Sequence, residues 1–237
     1  MAGTVTHLAI ADIIYRTSLA RENIINLPLF YCGNLAPDAV HAKPDYQRAD
    51  KTKTHLREGI SSAELHNDEK HDIYKERIDV FLKKHYFINN EYKDLYLGYA
   101  VHLRADELFT GHACPAKARV EERMHKDGIV FQNEQEFTRS LVHDMVSTDI
   151  IFANKWEWTQ NPVQILESVW DYEVKGYVGK TETNNSKCWV IDTFFKTDAP
   201  KQPPIYYTYP DACEFVEFAA KDILQWLAVV WDAENVW

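Results

Sequence analysis

His102-Leu-Arg-Ala-Asp106 sets an imidazole and a carboxylate four residues apart, which on a helix is one turn and close enough to share a metal ion. With 10 His and 36 acidic residues in 237, chance alone gives about 1.5 such pairs, and the sequence holds two, the other being His41 with Asp45. Spacing therefore decides nothing, and setting must. The His41 pair spans Pro44 in a segment without helical period. The His102 pair shares a stripe with Leu95 and Tyr99, where an unpaired carboxylate would be costly and a metal ion would offset its burial. The competing reading pairs Asp106 with Arg104 or Arg119. Ten histidines exceed what packing asks of a chain this size, and histidine is both the commonest metal ligand and the usual near-neutral acid or base.

Helices must carry these groups. Thr6 reads as an N-cap for a first helix in which His7, Ile10, Ala11 and Ile14 share one face, so His7 points inward. Between about residues 26 and 54, Pro28, Gly33, Pro37 and Pro44 interrupt any period, which predicts a long loop, and a loop of that length is usually functional or disordered. A second helix is expected over about 68–87, with Tyr74, Ile78, Phe81, Leu82 and His85 as its apolar side. A third starts near Asn90, carries His102 and Asp106, and is stopped by Pro115. Gly98 within it costs about 1 kcal/mol relative to Ala and implies a close contact. Asn133 with Glu136 opens a fourth helix bearing His143 and Asp144, and Asn161-Pro162 opens a fifth. Residues 179–210 read as a polar, Pro-broken loop or extended segment. The last helix, about 211–232, is apolar on most sides and so is expected to be central.

The chain is 46% hydrophobic and 13% aromatic with only eight Gly, enough to bury a full core in one domain. Its net charge of −10, with no dense basic run, argues against a nucleic-acid partner. The start Met1-Ala2-Gly3-Thr4 lacks the features of a signal peptide, and no later stretch reaches bilayer-spanning length, so a cytoplasmic location is expected. Cys32, Cys114, Cys188 and Cys213 are far apart, without CxxC spacing, and read as reduced thiols.

Thr6-His7-Leu-Ala-Ile-Ala, Gly33-Asn-Leu-Ala-Pro-Asp38, Asp50-Lys-Thr-Lys-Thr-His55, Leu97-Gly-Tyr-Ala-Val-His102-Leu-Arg-Ala-Asp106 and His112 follow one another along the first half of the chain. Together they resemble the successive motifs of the zinc-dependent phospholipase C family. The resemblance implies an all-α, single-domain multi-helix bundle of the zinc-dependent phospholipase C and P1 nuclease type over residues 1–237. It further implies up to three zinc ions, or other divalent transition metals, and cleavage of a phosphoester bond. By this resemblance His55, His102 and Asp106 hold one ion, and His7 with Asp106 a second. His112 and His143 hold a third, and Asp38 faces the bridging water as general base or further ligand. The family's later His-x-x-x-Glu has no match, because Ser147 stands four residues after His143; Asp144 or Asp149 would substitute. The substrate expected is a small phosphoester or a phospholipid-like molecule.

Two other readings compete. His71-Asp72 or His143-Asp144 could be the adjacent pair of an HD-type phosphohydrolase, which leaves more of the histidines without a role. Alternatively the metals are structural in a non-catalytic helical protein, in which case the sites are closed by protein ligands instead of keeping a position for water. His66, His71, His85 and His125 read as surface or packing residues.

Overall fold

The computed structural model describes residues 2–61, 64–65, 67–87, 91–111, 114–132 and 134–234. Among these the chain is all helical, with no strand and one isolated antiparallel bridge, Val174 to Val178. In chain order the α-helices are α1 (Thr4–Arg16), α2 (Ser18–Asn23), α3 (Leu27–Leu35), α4 (Arg48–Thr54), α5 (Asp68–His85), α6 (Lys93–Thr110), α7 (Pro115–Lys126), α8 (Glu134–Lys155), α9 (Pro162–Glu167), α10 (Lys180–Val190) and α11 (Tyr209–Glu234). A 3-10 segment, Ala36–Ala42, follows α3, and a π turn, Ile191–Phe195, follows α10. One hydrophobic cluster runs through the molecule, from Val5 and Ile10 on α1 through Phe30 and Tyr99 to Phe215 and Trp231 on α11.

The segment expected as a loop between residues 26 and 54 is mostly helical, and its composition explains why no period betrays it. In α3 every residue from Leu29 to Leu35 is buried, so the helix has no polar face to alternate with an apolar one. Its start is conventional: the Asn26 side chain accepts a hydrogen bond from Leu29 N–H at 3.1 Å, with Pro28 in the first turn. Gly33 on α3 and Gly98 on α6 face one another. A Cβ on Gly33 would overlap the Leu95 carbonyl oxygen, and one on Gly98 the Phe30 carbonyl oxygen. The two helices therefore meet backbone to backbone, which is the close contact that Gly98 implied.

Three other expectations change. Thr6 is not the N-cap of α1; Gly3 is, in an extended conformation. Thr6 lies inside the helix, and its N–H and hydroxyl both donate to Asp149 Oδ1, each at 3.0 Å. Residues 180–195 form α10 and the π turn instead of a loop. That polar helix is held by Thr183, whose hydroxyl donates to the Tyr172 carbonyl at 2.7 Å, and by the buried Lys187, whose ammonium lies 3.8 Å from the centre of the Trp170 ring and donates to the Val169 carbonyl. Finally, α11 packs on α1, α6, α7 and α8 but keeps an open side, with Val229 69% exposed, so it is amphipathic and not central. The Asn161 cap is as expected, accepting from Val163 and Gln164 N–H. Asn133, His66 and His112 lie outside the described residues.

No helix among the described residues is long and apolar enough to cross a membrane. The four cysteines are free thiols.

Candidate metal centre

Four elements bring His7, Asp38, His55, His102 and Asp106 together. α6 supplies His102 and Asp106 from one face, both at most 4% exposed. His7 comes from α1, and its ring stacks on His102 with centroids 3.7 Å apart. Asp38 comes from the 3-10 segment. His55 caps the C-terminus of α4, whose last carbonyl, that of Thr54, accepts the buried Tyr99 hydroxyl of α6 at 2.5 Å. Two sets each have their ligand atoms within 4.8 Å of one another: His7 with His102 and Asp106, and Asp38 with His55 and His102.

The hydrogen bonds around the rings fix which nitrogen faces the cluster. His102 Nδ1 lies 2.8 Å from the Asn34 carbonyl, and His55 Nδ1 lies 3.0 Å from the Lys51 carbonyl. A carbonyl can only accept, so both Nδ1 atoms carry the proton and both Nε2 atoms present lone pairs inward. Those Nε2 atoms are buried without a hydrogen-bond partner, as are both ring nitrogens of His7. Asp106 sits between them: Oδ1 is 3.4 Å from His7 Nε2, and Oδ2 is 3.4 Å from His55 Nε2 and 4.0 Å from His102 Nε2. Oδ1 also accepts Ala2 N–H at 3.1 Å. Buried imidazole nitrogens left unpaired beside a carboxylate would be costly without a cation, and a second partner on the remaining nitrogen is the usual support of a metal-ligating histidine.

Protonation follows the same pattern. Burial, with Lys51 adding to it, pushes His55 down to about 4. Burial and the neighbouring His7 hold His102 well below the usual histidine range. Burial alone would raise the two carboxyls, but Lys51, His55 and His102 hold Asp38 well below its ordinary value, and the positive charge of the chain's N-terminus, with the nearby His55 and His7, holds Asp106 well below its own. Neutral imidazoles beside ionised carboxylates are the protonation states a divalent cation requires.

His143 and Asp144 are not brought into either set. The His143 side chain is 47% exposed, with Nδ1 3.2 Å from Asp144 Oδ1. The Asp144 carboxylate is taken up by backbone, accepting the N–H groups of Ile205 at 3.0 Å, Tyr206 at 2.6 Å and Tyr207 at 3.0 Å. It anchors the chain ahead of α11. Asp149 is occupied in the same way by α1, and burial raises it to about 6 against the bonds from Val5 and Thr6. Of the ligands expected for a third ion, His143, Asp144 and Asp149 thus lie outside both sets, and His112 lies outside the described residues. The pair His71-Asp72 is also split: His71 pairs with the buried Glu107, while the Asp72 side chain, 76% exposed, lies 3.8 Å from Lys75.

A cavity of about 630 Å³ opens beside the cluster. Asp38, His41 and Lys51 line it, and so do Val142, Met145 and Val146 of α8, Trp189 of α10 and Phe194 of the π turn. Asp38, with its side chain 17% exposed, is the one member of the five that belongs to both cluster and cavity. Sequence reasoning missed Lys51, whose ammonium donates to Asp38 Oδ1 at 2.5 Å and to His41 Nε2 at 3.2 Å. Within Asp50-Lys-Thr-Lys it reads as part of a solvated charged run; only its position one helical turn before His55 could have singled it out.

No protein-family model, curated protein or solved structure matches the chain.

Proposed function

We propose that this protein is a divalent-metal-dependent phosphoester hydrolase, of the zinc-dependent phospholipase C type that its motifs resemble, with zinc as the preferred ion. One observation carries the reading: three buried histidines present unpartnered Nε2 atoms to two ionised carboxylates, beside an open cavity. His55, His102 and Asp38 would hold one ion and His7 with Asp106 another, with Asp106 positioned to serve both. Zinc there would lower the pKa of a coordinated water toward neutral and neutralise charge on a phosphoryl oxygen.

The chain's own groups do the rest. The Asn34 and Lys51 carbonyls fix the His102 and His55 rings before anything binds, so little reorganisation is needed. Asp38, at the boundary of cluster and cavity, is too acidic beside Lys51 to be an efficient proton acceptor near neutral pH. It suits a ligand that also orients water, which narrows the general-base role expected for it. Trp189, Phe194 and the α8 side chains favour an ester bearing an apolar group over a wholly polar one.

Hydrolysis of bis(4-nitrophenyl) phosphate tests the proposal. Protein stripped with a chelator should be inactive, zinc should restore turnover, and His102→Ala should not respond to zinc. Zinc-loaded protein that is inactive on chromogenic phosphodiesters and monoesters alike would remove the hydrolase reading and leave a structural metal site.

A further inference from the structure

Lys51 is an unusual neighbour for a candidate metal ligand. It is 4% exposed, yet it lines the cavity, and its ammonium has three N–H donors and no acceptor capacity. One donor serves Asp38 and another serves His41 Nε2. Because an ammonium cannot accept, His41 Nε2 must be the acceptor, so the ring is in its neutral Nδ1–H form in this contact. The third donor has no protein acceptor among the described residues. The other carboxylate on the cavity, Asp149, is engaged by the Thr6 N–H and hydroxyl. An ion on Asp38 would share that carboxylate's charge and leave the ammonium less compensated.

We infer that Lys51, braced by His41, is an anion-binding subsite that receives a phosphoryl oxygen of the substrate from the cavity side of the metal centre. This rests on the metal-centre reading above and extends it from the ions to the substrate. A charge-assisted bond from a buried ammonium is among the stronger contacts a phosphoryl oxygen can receive, and Asp38 and His41 fix the direction of the Lys51 side chain in advance. The subsite orients substrate; it is not a proton donor in this scheme. His41, with its side chain 46% exposed, is a positioning residue that acts through Lys51.

Calorimetric titration of inorganic phosphate into zinc-loaded protein tests this without turnover. Wild type should bind phosphate, and Lys51→Met should weaken binding at least tenfold at unchanged zinc content. His41→Ala should weaken it less, by about threefold. An unchanged Kd in Lys51→Met overturns the inference, as does the absence of phosphate binding in wild type. Loss of zinc in a folded Lys51→Met also overturns it, because the ammonium would then belong to metal assembly. If Lys51→Met fails to fold, the half-exposed His41 decides: unchanged phosphate affinity in His41→Ala refutes the subsite. Wild type that binds phosphate through Lys51 yet hydrolyses no ester keeps the subsite and defeats the hydrolase reading. An active wild type with Lys51-independent phosphate binding does the reverse.

Discussion

At Asp106 both carboxylate oxygens face imidazoles, Oδ1 toward His7 and Oδ2 toward His55 and His102, whereas Asp38 Oδ1 faces His55, Lys51 and, at the cavity, His41. The two carboxylates should therefore differ on removal. Asp106→Ala is expected to abolish stable zinc binding, while Asp38→Ala loses about one equivalent and keeps the ion at His7; elemental analysis of the dialysed variants reads the difference, and equal losses would show that Asp106 is not shared. His7, His55, His102, Asp38 and Asp106 were all legible as candidates, through motifs whose order along the chain matters more than any single spacing. Lys51 was not, because its role comes from where the 3-10 segment puts Asp38. His143 and Asp144 stand apart from both sets, and the backbone amides of Ile205 to Tyr207 take the Asp144 carboxylate.

Among the elements, the crossing of α3 and α6 does most to build the site. Gly33 and Gly98 remove the side chains that would hold the helices apart, and the Asn34 carbonyl then reaches His102 Nδ1 at 2.8 Å. Gly98→Ala would gain helix propensity but collide with the Phe30 carbonyl. Overpacking of this kind costs about 1–3 kcal/mol, against about 1 kcal/mol regained from propensity. We expect a net loss of stability in urea unfolding together with weaker zinc binding; a variant as stable as wild type would mean that the helices can separate without disturbing the centre. Periodicity found the amphipathic α5 and α6 but not α3, whose burial on all sides erases the pattern. It also missed α10, a polar helix stabilised by contacts from Lys187 and Thr183 to the chain before it.

Across the whole molecule, the all-helical class and one continuous hydrophobic cluster follow from composition and from the helical signals along the chain. An ion pair ties α7 to the start of α11. Asp211 at the start of α11 is buried, which would raise its pKa, but the Arg123 contact at 2.6 Å and bonds from Thr208 hold it below the ordinary value of 3.8. A depressed folded-state pKa stabilises above the unfolded value, and that stability disappears as pH falls through the folded value. Asp211→Asn should therefore cost about 1–3 kcal/mol at pH 7, with the gap from wild type closing progressively below about pH 4. A gap that is constant from pH 7 to pH 2.5 would show that Asp211 contributes no charge-dependent stability. On the proposed reading the buried imidazoles and carboxylates hold two ions, with Asp106 between them and His102 serving one. Native mass spectrometry of wild-type protein, equilibrated with zinc and then dialysed, should show about two zinc ions per chain; a folded protein that retains none would contradict it.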